Sequence, residues 1–285
     1  MGTIKCLFLL LIFNCSQNII AQTVSTLPAQ KTNTDFFFLY EVKLIDEFIE
    51  RFNDDPHCYI REQCKALYHT DSIITRRKLL KSLLDKKKGW SADTAQFFHE
   101  VLDPAHPGYL SFTDSNWYAE VRCVFLYNNS KIEVPLVLHI KAAGQGSKWM
   151  IAGIEKSELF KNVPVSAPRS NDTQISINDF IPTSSHGTDF VVFNYIFSEQ
   201  MQAAAYFEPG LLGMPRTQYF TRLVKQQKIK FLYVKNIKYH FFTLPGWVFT
   251  VEQFKRKETN TGWLISSLQK VNPTEKEVLL KKLLQ

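Results

Sequence analysis

The chain has 285 residues, 45% of them hydrophobic and 14% aromatic, with 23 Phe and a formal net charge of +7. That apolar content suffices for a core and excludes global disorder. No segment after residue 21 approaches the roughly 18 apolar residues of a membrane span, so the expectation is one large globular domain or two small ones.

At the start, Lys5 precedes the apolar run Cys6 to Phe13 (CLFLLLIF), a polar stretch Asn14 to Asn18, and Ala21. A charged start, a short apolar run and a small residue at the cut predict a signal peptide over residues 1–21, too short to cross a bilayer. A lipoprotein anchored through Cys15 is the alternative, but Phe13 and Asn14 stand where a lipid-attachment box needs small residues. Cleavage before Gln22 is the expectation, with export to the periplasm or beyond.

Residues 22–33 are polar, contain Pro28 and read as a flexible lead. A first helix is predicted from Thr34-Asp35 to about Phe52, because Phe37, Tyr40, Leu44, Phe48 and Phe52 recur at helical spacing. Further helices are predicted over 58–68, over 72–87 with Asp71 or Ser72 as cap, and from about Asp93 to Leu102. The period then changes to two. Trp117, Ala119, Val121, Cys123 and Phe125 alternate with Tyr118, Glu120, Arg122 and Val124; Asn128-Asn129-Ser130 turns the chain; and Ile132 to Ile140 alternates back. After Gly144-Gln145-Gly146 a third strand runs over Lys148–Glu155, completing an antiparallel meander.

Residues 157–185, with Pro164, Pro168 and Pro182, read as a linker with one short strand near 175–177. The plan then repeats. Thr188-Asp189-Phe190 matches Thr34-Asp35-Phe36, an apolar helix is expected to about Phe207, and alternating segments follow over 228–243, 247–257 and 262–271. Lys148-Trp149-Met150-Ile151 rhymes with Gly262-Trp263-Leu264-Ile265. A last helix is predicted over 273–284, with Asn272 as cap and Pro273 in the first turn. The expected domains are therefore 34–156 and a smaller 186–285, the second lacking the extra helices of the first.

Helices followed by a curved antiparallel meander that closes on a Trp-apolar-Ile strand resemble the NTF2-like (cystatin-like) α+β superfamily. The resemblance covers about 34–155 and, as a reduced copy, 186–271. It implies helices packed on curved antiparallel sheets and a pocket between helix and sheet. It also implies a homodimer through an exposed sheet face, and it names no activity, since that superfamily holds enzymes, adaptors and binding proteins alike.

Candidate ligand-binding residues follow from the strand parity. Tyr118, Glu120, Arg122, Glu133, His139 and Lys141 share the face opposite the apolar stripe, and His99 and His106 flank the loop 103–109. The plain reading of the first set is cross-strand ion pairs on a solvated face, and of the second an ordinary loop. Gly-x-Ser-x-Gly, His-Glu-x-x-His, Walker and dinucleotide motifs are all absent, so no catalytic residue and no cofactor is assigned.

The second half holds the charge: residues 156–285 carry a net +7, against −1 for 22–155. Lys228, Lys230, Lys238, Lys255, Arg256 and Lys257 form a candidate patch for an anionic glycan, a lipid headgroup or an envelope protein, or else an edge made soluble by lysine. Cys58 and Cys64 lack Cys-x-x-Cys spacing, which argues against a metal; they are either a disulfide or, with Cys123, reduced core thiols. Asp71-Ser72-Ile73 and Asp93-Thr94-Ala95 resemble the O-glycosylation sites of some Gram-negative exported proteins, but both sit where helix caps belong and capping alone explains them. The functional expectation is an exported, non-catalytic binding or envelope-assembly module. Its alternative is a small-molecule enzyme or carrier with a pocket in the first domain.

Overall fold

The computed structural model describes residues 41–70, 72–161, 163, 180–198, 203–257 and 259–285. The signal segment, the lead, the proposed helix start at Thr34-Asp35, the cap candidate Asp71 and the strand near 175–177 lie outside them.

The fold is α+β: a curved seven-stranded antiparallel sheet with helices on both faces. The strands are β1 (Trp117–Tyr127), β2 (Ser130–Ala143), β3 (Gly146–Ile154), β4 (Ile181–Pro182), β5 (Ile229–Phe241), β6 (Trp247–Phe254) and β7 (Gly262–Lys270), in the order β4-β3-β2-β1-β5-β6-β7. Both meanders fall where alternation predicts them. They do not form separate sheets: β1 pairs with β5 from Trp117↔Phe241 to Tyr127↔Ile229, so the two halves share one sheet and one contiguous apolar core. Register shifts between β1 and β5, β2 and β3, and β6 and β7 bend it.

Helices α1 (Ile45–Asn53), α2 (Tyr59–Tyr68), α3 (Arg76–Ser82) and α4 (Asp93–Val101) precede the sheet, and α5 (Phe193–Ile196), α6 (Pro215–Lys225) and α7 (Pro273–Leu283) follow from the second half. Three expectations are corrected. The first helix begins at Ile45, because Val42 is extended and bridges Gly262. The helix expected over 72–87 is only Arg76–Ser82, capped by Thr75, whose side chain accepts from Lys78 N. The long helix expected after Asp189 is replaced, in its described part, by the one-turn α5 and a 3-10 turn over Ala203–Tyr206, and α6 follows.

Helix partners are exchanged between the halves. Phe48 and Phe52 of α1 and Phe97 of α4 pack on Phe249 of β6, with centroids 5.9–6.4 Å apart. From the second half, Phe190 packs on Trp149 of β3, and Phe197 and Phe220 pack on Phe125 of β1. The edges are exchanged too. Trp263 N donates to Val42 O at 2.8 Å and Ile265 N to Leu83 O at 2.8 Å, so first-half residues cover β7. Glu208 N donates to Ile151 O at 2.9 Å, so a second-half residue covers β3. These bonds cover part of each sheet edge. Gly262 has φ +88°, and a Cβ there would stand 2.0 Å from Val42 O, so only glycine allows the crossing.

This face of the sheet is aromatic and dry. Trp117, Trp149 and Trp247 are fully buried, and each indole N–H finds an acceptor: Phe112 O, Thr183 O and Glu100 Oε2. Cys58 and Cys64 are not joined in a disulfide and are buried in a satellite cluster with Ile60, Ile74 and Leu79, and Cys123 is a buried thiol on β1. The disulfide does not form because Cys58 caps α2 and Cys64 lies on it. Six helical residues rise about 9 Å, beyond the Cα separation a disulfide spans.

Candidate functional site

The opposite face starts from the parity that predicts it. Tyr118, Glu120 and Arg122 do share it, and His139 stands opposite Tyr118 with the rings stacked at 5.8 Å. What sequence reasoning missed are their partners, most of them from the second half. His240 of β5 places Nε2 3.0 Å from Glu120 Oε2 and Nδ1 3.1 Å from Thr250 Oγ1. Arg122 donates to Glu120 Oε1 at 3.2 Å and lies near Glu133, which pairs with Lys235. His139 Nε2 lies 2.8 Å from Glu208 Oε1, and Lys141 Nζ lies 2.9 Å from Oε2. His240 shares the parity of Lys238 and was legible on that ground; Glu208, between a turn and a bridge, had no signal.

Burial pushes the Glu120 carboxyl up, but the His240 and Arg122 hydrogen bonds and the Lys238 charge outweigh it and hold the group below its ordinary value. Glu155, just past β3, moves the other way. Burial raises it, and the charge of Glu120 adds to the rise. Tyr118 is pushed up by burial, then by Asp114.

Helix α7 crosses this face. Asn272 caps it, as predicted, and does so in a reciprocal capping box with Glu275. Its Leu279, Leu280, Leu283 and Leu284 pack on Tyr118, Val137, Phe242, Val248 and Val271, yet none of the helix's own residues is fully buried. Gly153 on β3 lets it seat: a Cβ there would stand 2.9 Å from Leu284 O.

Beside α7 lies a groove of about 680 Å³, within the usual 300–1,000 Å³ of ligand pockets. Phe242, Val248, Val278, Leu279 and Leu283 give it apolar walls, His240, Thr250, Ser267 and Gln269 line it with polar groups, and Glu155, Lys156, Lys281 and Lys282 bring charge. A smaller cavity of about 430 Å³ on the helical side is lined by Asp46, Phe112 and His186 among others.

The remaining predicted residues are not gathered here. His99 is exposed on α4, and His106 is exposed in its loop near Asp103. The basic residues have separate fates. Arg256 makes two bonds to Asp85, one of them 2.9 Å, and pins the loop after β6 to the end of α3; Lys238 pairs with Glu252 at 3.4 Å. Lys228 and Lys230 are exposed at the start of β5, and Lys230 is eight residues, roughly 26 Å of strand, from Lys238. Lys255 and Lys257 are exposed beyond β6. Among the described residues no cluster of His, Cys, Asp and Glu could hold a metal ion, and no helix is long and apolar enough to cross a membrane. No family model matches the chain, and neither a curated protein nor a solved structure is significantly similar to it.

Proposed function

We propose that this chain is an exported binding protein that seats a small ligand in the groove between α7 and the sheet. One observation carries the reading: the groove is bounded by a helix that is itself only partly buried, over walls that combine exposed apolar and charged groups. The charged start and apolar run of residues 1–21 support export. The matching order of β1–β3 and β5–β7, and the rhyme of Trp149 with Trp263, support two NTF2-like halves, the second reduced.

An acid–base role has the His240–Glu120 pair in its favour, but both ring nitrogens of His240 are engaged, by Glu120 and Thr250. No free nitrogen faces the groove for proton transfer. The pair therefore acts as a brace across β1, β5 and β6.

Native mass spectrometry of the full chain expressed for export, purified from the periplasm, tests this directly. The expected spectrum shows a protein lacking residues 1–21 with a small mass released on denaturation, and Val278→Trp, which fills the groove, abolishes that mass. An uncleaved chain would contradict export, and an adduct that survives Val278→Trp would contradict the groove.

A further inference from the structure

We infer that the ligand of this groove is an amphiphilic anion, a monomeric acyl-chain carboxylate whose chain lies along α7 and whose head meets the lysines at its rim. The inference rests on the groove being the ligand seat and adds the chemical class. Apolar groups dominate the wall: Phe242 and Val248 from the sheet, Leu279 and Leu283 from α7, and Val278, an apolar side chain left 59% exposed at this point. An apolar side chain so exposed beside an apolar wall is placed to meet a further apolar group.

Charge decides the head. Lys156, Lys281 and Lys282 all line the groove, all are exposed, and none has an ion-pair partner among the described residues. Elsewhere Lys141, Lys161, Lys235 and Lys238 each reach a carboxylate, while Lys228, Lys230, Lys255 and Lys257 are exposed without an ion pair among the described residues; the groove lysines differ in sharing one apolar slot. Three unmatched cations around one apolar slot complement a single anionic head. The opposing charges to set against them are Glu155, which lines the groove, Glu120 behind His240, and Glu277, one turn before Lys281 on α7. Glu120 is already held by His240 and Arg122, and three lysines outnumber Glu155 in the groove lining.

Calorimetric titration of the mature protein with octanoate, decanoate and dodecanoate, and with dodecanol and dodecyltrimethylammonium, tests the class. Saturable one-to-one binding of dodecanoate is expected, tightening about threefold to fourfold per added methylene. Dodecyltrimethylammonium should bind at least tenfold more weakly. The exposed pair Lys281→Gln/Lys282→Gln should weaken dodecanoate about tenfold, leave dodecanol unchanged and preserve the circular dichroism spectrum. Preference for the cation would overturn the anionic head, and affinity independent of chain length would overturn the apolar seat. Binding to anionic vesicles without binding to monomeric dodecanoate would overturn the monomeric ligand. A native-spectrum ligand lost in Val278→Trp, alongside no response to any chain probe, would overturn the class while leaving the groove as the seat; no ligand in either experiment would overturn both.

Discussion

The two faces of the sheet are built on opposite principles. On the helical face, Trp117, Trp149, Trp247, Phe48, Phe52 and Phe97 are fully buried and interlock ring against ring across both halves. On the other face the strands present Glu120, Arg122, Glu133, Lys235 and His240 in a connected polar network, covered in part by a helix with no fully buried residue. The dry face carries the stability, because packing density and apolar burial are concentrated there. The half-covered face is free to open locally at low cost, which is where ligand-binding elements belong.

Phe249→Ala should widen that contrast most. It removes a ring stacked 4.8 Å from Phe241 and set against Phe52 and Phe97, and an expected loss of about 3–5 kcal/mol is measurable by urea unfolding. A loss under about 1 kcal/mol would erase the difference between the faces. Glu120→Ala on the other face removes the carboxylate shared by His240 and Arg122, leaving them only Thr250 and Glu133, and should cost about 1–3 kcal/mol in the same assay. Gly153→Ala sets a methyl against the main chain of Leu284. It should cost about 1 kcal/mol, because the end of α7 can yield, and it should raise hydrogen exchange across 273–283 without touching β1 or β5.

The smallest effect is a pH dependence at the helical side. His186 Nδ1 faces Thr183 O while Nε2 lies 3.0 Å from the Asp46 carboxylate, so two acceptors require both ring protons and hence the imidazolium. Burial lowers its proton affinity, but Asp46 and the Thr183 carbonyl outweigh burial and raise it above the ordinary 6.5. A raised folded value means the contribution is complete below about pH 6.5 and is lost as pH rises through the folded value. Wild type should therefore lose up to about 1 kcal/mol on the alkaline side of that window, and His186→Gln should flatten the slope.

Local pattern made much of this legible. The six long strands follow from strict alternation, and α7 from Asn272-Pro273. Period alone does not state which strand edges meet, so the pairing of β1 with β5 and the exchange of helices between halves were hidden; both depend on contacts more than a hundred residues apart, such as Trp117↔Phe241. The helix α6 carries Pro215 at its first turn and Thr217, Phe220 and Val224 on one face, a signal of modest amphipathicity between the two stronger patterns that flank it. At the site, parity places Tyr118, Glu120, Arg122 and His139 on the correct face. It is silent about Glu208, which comes from irregular chain, and about α7, whose docking is decided by Gly153 and the half-buried leucines.

The most direct test of the claim that binding belongs to the half-covered face is hydrogen exchange of the mature protein with and without saturating dodecanoate. Added protection is expected in α7 and at Phe242, Val248 and Thr250, with the aromatic helical face unchanged. Protection confined to α1, α4 or the cavity at His186 would contradict it.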